Sequence, residues 1–179
     1  LAEARKMAVD EASQLIDQLH HAIRTGTLDQ FIQSVSQIPA PGKIAAEAQQ
    51  RFFEMTGATS LDPYHLANPG DAVMRISRDI EYDIFKRHEL RRRASEIVGL
   101  LIREPDTVKA VVRGFPLLDA VFLSASQQRK TRAGRSFENH LATTLKDGRI
   151  SFEEQAILGG RRPDFVLPDR RILGLREFP

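Results

Sequence analysis

The sequence predicts an α+β fold in which a mostly helical amino-terminal region packs on a small mixed β-sheet near the carboxyl end. Two observations lead to this prediction. Through the first two thirds of the chain, apolar residues recur at three- and four-residue steps, which is the helical period. In the last third, residues 150–156 and 164–167 are short, rich in strand-forming residues and flanked by Gly or Pro.

The helical segments end at recognisable breakers. Thr25-Gly26 follows the first segment, two prolines and a glycine at 39–42 follow the second, and Gly114-Phe115-Pro116 interrupts a later one. An apolar segment at 117–123 follows that interruption. We expect helices over residues 2–23, 28–38, 43–55, 71–103 (with a break near 87–90), 107–113 and 129–146.

The stretch 57–70 marks the best candidate for a boundary within the chain. It holds Pro63, Asn68 and Pro69, which favour loop structure. We therefore divide the sequence into a helical extension at 1–70 and a second domain at 71–179. A chain of 179 residues, 41% of them hydrophobic, is long enough to bury a core of its own.

Composition excludes several classes of protein. The chain has no Cys, so it has neither a disulfide framework nor a thiolate metal site, and a cytoplasmic location is expected. No run of eighteen apolar residues occurs, so we expect no membrane span. The first residue is Leu1 rather than Met, which suggests that the natural start is missing.

Positive charge is concentrated near the carboxyl end. Residues 1–125 carry 15 Lys and Arg against 17 Asp and Glu, whereas residues 126–179 carry 11 against 7. Such an asymmetry favours binding of a polyanion such as nucleic acid, even though the formal net charge is only +2. A solvated basic face is the alternative reading of the same charges.

The segment 127–141 combines cations with one acid. Four cations, Arg129, Lys130, Arg132 and Arg135, precede Glu138. On a helix, Ala133, Phe137, Leu141 and Thr144 form a buried arc, while Arg132 and Arg135 project from the opposite side and Glu138 lies half-buried at the edge. Arginine and lysine bind phosphates, and a carboxylate beside the core can face a metal ion. An ordinary ion pair between Glu138 and Arg135 is the competing explanation.

A strand, turn and strand follow. Residues 150–156 form the first strand, Gly159 and Gly160 the turn, and Pro163 the entrance of the second strand. The period of two places Asp164 and Val166 on one face of that strand. Mg²⁺ prefers one or two carboxylates together with water and substrate oxygens, so Glu138 and Asp164 are the candidate metal ligands for phosphodiester hydrolysis.

Other chemistries find little support. The five histidines are scattered without a metal-ligand spacing, and His140 is expected on a helix surface. Ser136 is not part of a Gly-x-Ser-x-Gly turn, and the sequence contains no Gly-rich phosphate loop ending in Lys-Ser or Lys-Thr.

Three segments in this order, RAGRSFENHL from Arg132, FEEQ from Phe152 and PDFVLP from Pro163, resemble the catalytic domain of EcoRII-type restriction endonucleases. Those enzymes have the PD-(D/E)XK nuclease fold, so the resemblance implies a restriction-endonuclease-like sheet and a nuclease-like domain at 71–179. It further implies a Mg²⁺-dependent, site-specific cut in double-stranded DNA by a homodimer. Asp164 would be the Pro-Asp metal ligand and Glu138 the acid on the preceding helix, with Arg129, Lys130, Arg132 and Arg135 near the DNA.

The sequence departs from the family pattern at one important point. The pattern calls for a catalytic Lys on a later strand and a further acid, yet no Lys follows Lys146, and Glu177 matches the later acid poorly. Arg170 and Arg171 are poor substitutes, because a guanidinium stays protonated. Either a segment is missing between Asp169 and Arg170, which we favour because no turn residues join them, or the protein is a remnant that binds DNA without cutting it. The second explanation makes a non-catalytic DNA-binding or regulatory module the alternative function.

Overall fold

The structure is a computed structural model, and it describes residues 2–157 and 160–171. The α-helices in these residues are Ala2–Arg24 (α1), Leu28–Ser36 (α2), Pro41–Thr56 (α3), Pro69–Arg75 (α4), Tyr82–Leu101 (α5) and Thr107–Asp147 (α6). A π-helical stretch, Ile76–Glu81, joins α4 to α5 and is called the π segment below. The strands are Glu153–Glu154 (β1) and Phe165–Val166 (β2).

The predicted α+β fold is wrong. In the described residues, helices dominate, and the sheet is limited to β1 and β2, which pair antiparallel with Glu153 opposite Val166. The two strands pair as the predicted hairpin requires, but each is only two residues long, and Gly159 of the predicted turn lies outside the described residues. Residues 2–157 and 160–171 contain no mixed sheet of restriction-endonuclease-like type. Backbone geometry limits β1, because Gln155 directly after it has a φ of 55°, which lies outside the extended region of a strand. A two-residue ladder cannot serve as the platform on which helices pack.

Helix α6 is the largest departure from the predicted helix boundaries. It runs for 41 residues without interruption and includes Pro116, where a break was expected. A proline removes one backbone hydrogen bond and crowds the preceding turn, but residues on both sides of Pro116 remain helical. The expected break near 87–90 is also absent, since residues 82–101 form one helix.

Other boundaries agree with the sequence. Residues 57–68 form the expected loop between α3 and α4. Gly57 ends α3 with a φ of 73°, a conformation that glycine adopts without steric cost, and its N–H donates to Phe53 O. Asn68 begins α4 by accepting the Asp71 N–H at 3.3 Å.

The chain divides into two compact units that interleave along the sequence. Unit 1 contains residues 1–39 and 85–130, and unit 2 contains residues 40–84 and 131–179. Neither unit ends near residue 70, and the division into domains at 1–70 and 71–179 stays a prediction. No helix in the described part of the chain is long and apolar enough to cross a membrane.

Unit 2 has a core formed by α3, the π segment and the end of α6. Buried apolar side chains include Ile44, Ala48 and Phe52 from α3 and Ile76 from the π segment, which packs on α3. The last residues of α6 are attached to the 57–68 loop, because Asp147 Oδ2 accepts the Leu61 N–H at 2.6 Å. These contacts fix the helical segment that carries the candidate site.

Candidate functional site

Unit 2 contains a buried carboxylate that holds two side chains of α6. Glu81 Oε2 accepts a hydrogen bond from Ser136 Oγ at 2.7 Å and another from His140 Nε2 at 2.6 Å. His140 is 0% exposed, and Glu81 and Ser136 are also buried. Ser136 and His140 are four residues apart on one helix, so they lie on the same face one turn apart. One oxygen therefore fixes one face of α6.

The other nitrogen of His140 contacts α3. Gln49 Nε2 lies 2.9 Å from His140 Nδ1 and 3.2 Å from Thr143 Oγ1. Thr143 donates its hydroxyl proton to Asn139 O, so its oxygen accepts from the Gln49 amide. The same amide then donates to Nδ1 of His140, which assigns the imidazole proton to Nε2. Gln49 therefore donates to His140, and His140 donates in turn to Glu81, so both ring nitrogens of His140 have a partner.

The π segment explains how an acid enters this core. Ile76 and Glu81 are both buried, and their positions differ by five, which is the step of a π turn. An α-helical step of four residues would have put Ile80, an ordinary core residue, in the place that Glu81 takes. The wider turn therefore exchanges an apolar side chain for a carboxylate.

The buried network is not a nucleophilic triad. A triad requires a base that hydrogen-bonds to the nucleophile and is itself oriented by an acid. Here Ser136 and His140 both donate to Glu81 Oε2. All three side chains are also buried and out of reach of a substrate. The arrangement is one that orients a helix.

The predicted buried arc of the basic helix needs correction. Phe137 is 41% exposed, whereas Ser136 and His140 are buried in its place. His140 was expected on the surface, and the prediction was wrong because the side chain has a carboxylate and an amide as partners inside unit 2. A buried polar group is tolerated when it is hydrogen-bonded. Hydrophobic periodicity cannot detect such partners.

The predicted DNA-binding cations lie on α6. Arg135 is exposed and Arg132 is partly exposed, while the side chains of Arg129 and Lys130 lie outside the part of the chain whose side chains are described. Arg135 directly precedes Ser136, one of the two residues held by Glu81. The assignment of these four cations to DNA stays a prediction.

Glu138 lies midway between the two residues that Glu81 holds. It is two positions from Ser136 and two from His140, so helical geometry puts it on the opposite side of α6. Its side chain is half-buried, as the sequence predicted. The buried network therefore contacts one face of α6, and Glu138 lies on the opposite face.

Asp164 lies in a bend directly before β2 and is exposed. Its carbonyl oxygen accepts the Gln155 N–H at 3.0 Å, which ties the bend to the residue after β1. Val166 of β2 is buried. The predicted alternation had put Val166 and Asp164 on the same face of the strand. Because Asp164 is outside the two-residue strand, that alternation does not determine its direction.

The donors fit a hard divalent cation in their chemistry. Glu138 and Asp164 offer carboxylate oxygens, which Mg²⁺ prefers, and Mg²⁺ needs only one or two such groups because it keeps several waters. Among the described residues, no group of three or more His, Asp or Glu side chains is placed to hold a metal ion. A site formed by two carboxylates, water and substrate is a different arrangement, and it stays a prediction.

The cations after the hairpin are engaged with acids. Arg170 Nε lies 3.0 Å from Glu153 Oε1, and Arg171 donates to Asp169 with both its side chain and its backbone N–H. These hydrogen bonds hold the pKa of Asp169 below its usual range, and the side-chain bond from Arg171 is the main cause. Asp169 thus accepts a turn-type hydrogen bond from the Arg171 backbone, and a missing segment between Asp169 and Arg170 stays a prediction. Glu177, a poor match to the later acid of the family pattern, lies outside the described residues.

Lys146, the last lysine of the sequence, lies beside the hairpin. Its Nζ is 3.9 Å from Glu154 Oε1 and 5.9 Å from the centre of the Phe152 ring. The side chain is 68% exposed, so the ion pair is a surface contact of small energy.

Sequence reasoning missed Glu81 and Gln49. Both lie in segments that read as ordinary amphipathic helix, far along the chain from His140. The available signal was Ser136 and His140, two polar residues four apart on the face of a helix with a buried stripe. Such a pair needs a buried hydrogen-bond partner, but the sequence does not indicate which residue supplies it.

Comparison with known proteins points to the same carboxyl-terminal segment. Residues 107–179 match a protein family described as "EcoRII C terminal". The chain is therefore similar over this segment to the carboxyl-terminal part of a restriction enzyme, and the matched segment contains Ser136, Glu138, His140 and Asp164.

One curated relative is the type II restriction enzyme EcoRII of Escherichia coli, which is 34% identical over 125 residues. The alignment covers 67% of this chain and 26% of the relative, so the chain spans about a quarter of that enzyme's length. No solved structure matches the chain.

Proposed function

We propose that this chain carries the DNA-cleaving part of a type II restriction endonuclease, which hydrolyses phosphodiester bonds of double-stranded DNA with Mg²⁺-activated water. The observation behind the proposal is the arrangement on α6, where Arg135 is exposed and Glu138 is half-buried within the segment that matches the EcoRII family. The similarity to EcoRII itself supports a role in a restriction system.

Each side chain has a defined role in this proposal. Arg129, Lys130, Arg132 and Arg135 bind phosphates of the DNA backbone, since guanidinium and ammonium groups donate strong hydrogen bonds to phosphate oxygens. Glu138 and Asp164 would hold Mg²⁺, which would lower the pKa of a water molecule and neutralise charge on the phosphate. Hydrolysis adds one water across one P–O bond, and the leaving oxygen takes up a proton.

The missing lysine is the observation that favours a second function. No Lys follows Lys146, and Arg170 and Arg171 are paired with acids. A non-catalytic DNA-binding or regulatory module would need the cations of α6 and no lysine near Asp164. Salt dependence of DNA binding does not separate the two functions, because phosphate contacts weaken with salt in both.

Cleavage of supercoiled plasmid DNA in Mg²⁺ separates them. We expect wild-type protein to nick or linearise the plasmid and EDTA to prevent it. Asp164→Ala should abolish cutting while a gel-shift assay still detects binding. Asp119→Ala, an exposed acid on the other half of α6, is the matched control and should cut normally. Binding without cutting by the wild type would establish the second function instead.

The homodimer implied by the family resemblance has a candidate surface in unit 1. Apolar side chains on one face of α6 are 41% to 72% exposed, and they are Val108, Val111, Val112, Phe115, Phe122 and Leu123, here called the apolar stripe. Six such side chains present on the order of 500 Å² of apolar surface, near the upper limit for a monomer. Two copies meeting through this face bury about the area of a small specific interface. A second copy of the chain is therefore the proposed partner.

A further inference from the structure

The π segment, the buried network and the face of α6 that carries Glu138 together point to a role for Glu81. We infer that Glu81 is a positioning residue that sets the rotation of α6 about its axis and thereby the direction of Glu138. The inference rests on the proposed function, because Glu138 matters for catalysis only if that function is correct.

The geometry of the two hydrogen bonds carries the first step. Ser136 and His140 lie one helical turn apart, and both donate to the same oxygen of Glu81, at 2.7 and 2.6 Å. A single bond would allow the helix to roll or slide, whereas two bonds from one face to one atom restrict both movements. His140 is held again by Gln49 of α3, so the face has a third attachment.

Burial makes these attachments costly to break. Glu81, Ser136 and His140 are all removed from water, and a buried donor or acceptor that loses its partner bears the full cost of its lost hydration. In the described residues, the only buried side-chain polar atom without a hydrogen-bond partner is Glu89 Oε1, which belongs to unit 1. The network in unit 2 is therefore complete, which is the condition under which a polar core rigidifies its surroundings.

The π segment supplies independent support. A π turn is rare and less favourable than an α turn, and it occurs frequently at functional sites. Here the turn replaces Ile80 by Glu81 at the buried position, so it weakens the helix and puts an acid where an apolar residue would have sufficed for packing. This is expected if the acid has a task besides filling the core.

The consequence reaches Glu138 through helical geometry. Glu138 is two residues from each residue held by Glu81, so any roll of the helix moves its carboxylate along the opposite arc. A displacement of about 1 Å at a reacting centre can reduce a rate roughly 100-fold. Arg135 ends in a long and flexible side chain, and its phosphate contact tolerates the same roll. Loss of the network should thus reduce turnover more than DNA binding.

Glu81→Gln tests the inference in the 179-residue chain, because glutamine keeps the size while its neutral amide oxygen holds the two donors less strongly than a carboxylate does. We expect plasmid cleavage to show a kcat that falls about 10- to 100-fold, the usual effect of losing a residue that orients a metal ligand, with little change in KM for DNA. Glu89→Gln, a carboxylate of similar burial in unit 1, is the matched control and should leave both parameters unchanged.

A second variant and a non-catalytic readout keep the test decisive. Ser136→Ala should give a smaller loss of turnover, and combining it with Glu81→Gln should add little, since both weaken the same network. Hydrogen exchange followed by mass spectrometry should show faster exchange in residues 131–141 of Glu81→Gln and unchanged exchange in residues 107–123. A variant that merely lowers global stability would raise exchange in both segments.

The outcomes distinguish the two proposals. Wild-type turnover and unchanged exchange in Glu81→Gln overturn the positioning role while leaving the nuclease function intact. A wild-type protein that never cuts DNA overturns the nuclease function, and the exchange pattern then decides by itself whether Glu81 sets this segment. If Glu81→Gln does not fold, the kcat and exchange of Ser136→Ala decide in the same way.

Discussion

The two halves of α6 differ in which side chains they expose and which they bury. In residues 107–130, which belong to unit 1, apolar side chains such as Phe115 and Phe122 are 62% exposed. In residues 131–147, which belong to unit 2, polar side chains such as Ser136, His140 and Thr144 are buried while Phe137 is exposed. Along one continuous helix, apolar side chains are thus exposed in the first half and polar side chains are buried in the second. In the second half, hydrogen-bond partners allow polar side chains to be buried beside the apolar Ala142 and Leu145.

The largest expected difference between the halves concerns stability. Glu81→Ala leaves Ser136 and His140 as buried donors without an acceptor, and we expect the free energy of unfolding to fall by about 3 kcal/mol. Urea denaturation followed by circular dichroism measures it. Asp119→Ala, on the exposed half of α6, should change it by less than about 0.5 kcal/mol. Equal losses from the two substitutions would contradict the comparison.

Two glycines test how tightly each unit is packed. A Cβ on Gly148, just after α6, would lie 2.7 Å from Pro63 Cδ, and a proline ring cannot move aside. Gly148→Ala should therefore destabilise the protein by about 1–3 kcal/mol, the usual cost of overpacking.

Gly99 in unit 1 is the matched position. A Cβ there would meet the Cδ1 atom of Ile32, the end of a flexible side chain that can change rotamer. Because alanine also favours helix, Gly99→Ala should be neutral or slightly stabilising. A loss for Gly99→Ala as large as that for Gly148→Ala would show that unit 1 is packed as rigidly as unit 2.

The apolar stripe should affect association more than stability. Phe115→Ser removes apolar surface that is already exposed, so the free energy of unfolding should change by less than about 0.5 kcal/mol. Sedimentation velocity at increasing protein concentration should show a dimer for the wild type and weaker association for Phe115→Ser. Phe137→Ser, an exposed phenylalanine on the other half of α6, is the control and should associate like the wild type. A monomeric wild type contradicts the proposed dimer.

The smallest expected effect concerns pH in the loop that receives the end of α6. The hydrogen bond from the Tyr64 backbone N–H is the main cause that lowers the pKa of Asp62. A carboxylate with a lowered pKa in the folded state stabilises the protein above its unfolded pKa of about 3.9, and the contribution is lost as pH falls through the folded value.

Asp62→Asn tests this prediction. The variant should unfold at a lower urea concentration than the wild type at neutral pH, and the difference should narrow as the pH falls below about 4. A difference that is the same at both pH values would show that the charge of Asp62 does not contribute.

The sequence predicted the parts of the structure that depend on local pattern. Residues 57–68 form the expected loop, and the strands around residue 160 pair antiparallel as expected. It could not predict that Pro116 lies inside a long helix, because neighbouring turns outweigh one missing hydrogen bond. It also overestimated the sheet, since the positive φ of Gln155 is not visible in residue preferences.

The candidate site was predictable only in its exposed half. Arg135 and the half-buried Glu138 follow from helical spacing and charge. Glu81 did not, because the helical period points to Ile80 and only the five-residue step of the π segment selects the acid instead. The burial of His140 was not predicted for a related reason, since it depends on hydrogen-bond partners 91 and 59 residues away along the chain.

The π segment accommodates one residue more than an α-helix needs between the buried side chains of Ile76 and Glu81. Removing any one residue between 77 and 80 would leave a four-residue step between them, and an ordinary α-helix would then bury the same two side chains. The loss of a single codon in this stretch should therefore be tolerated, because it keeps the acid against its two donors.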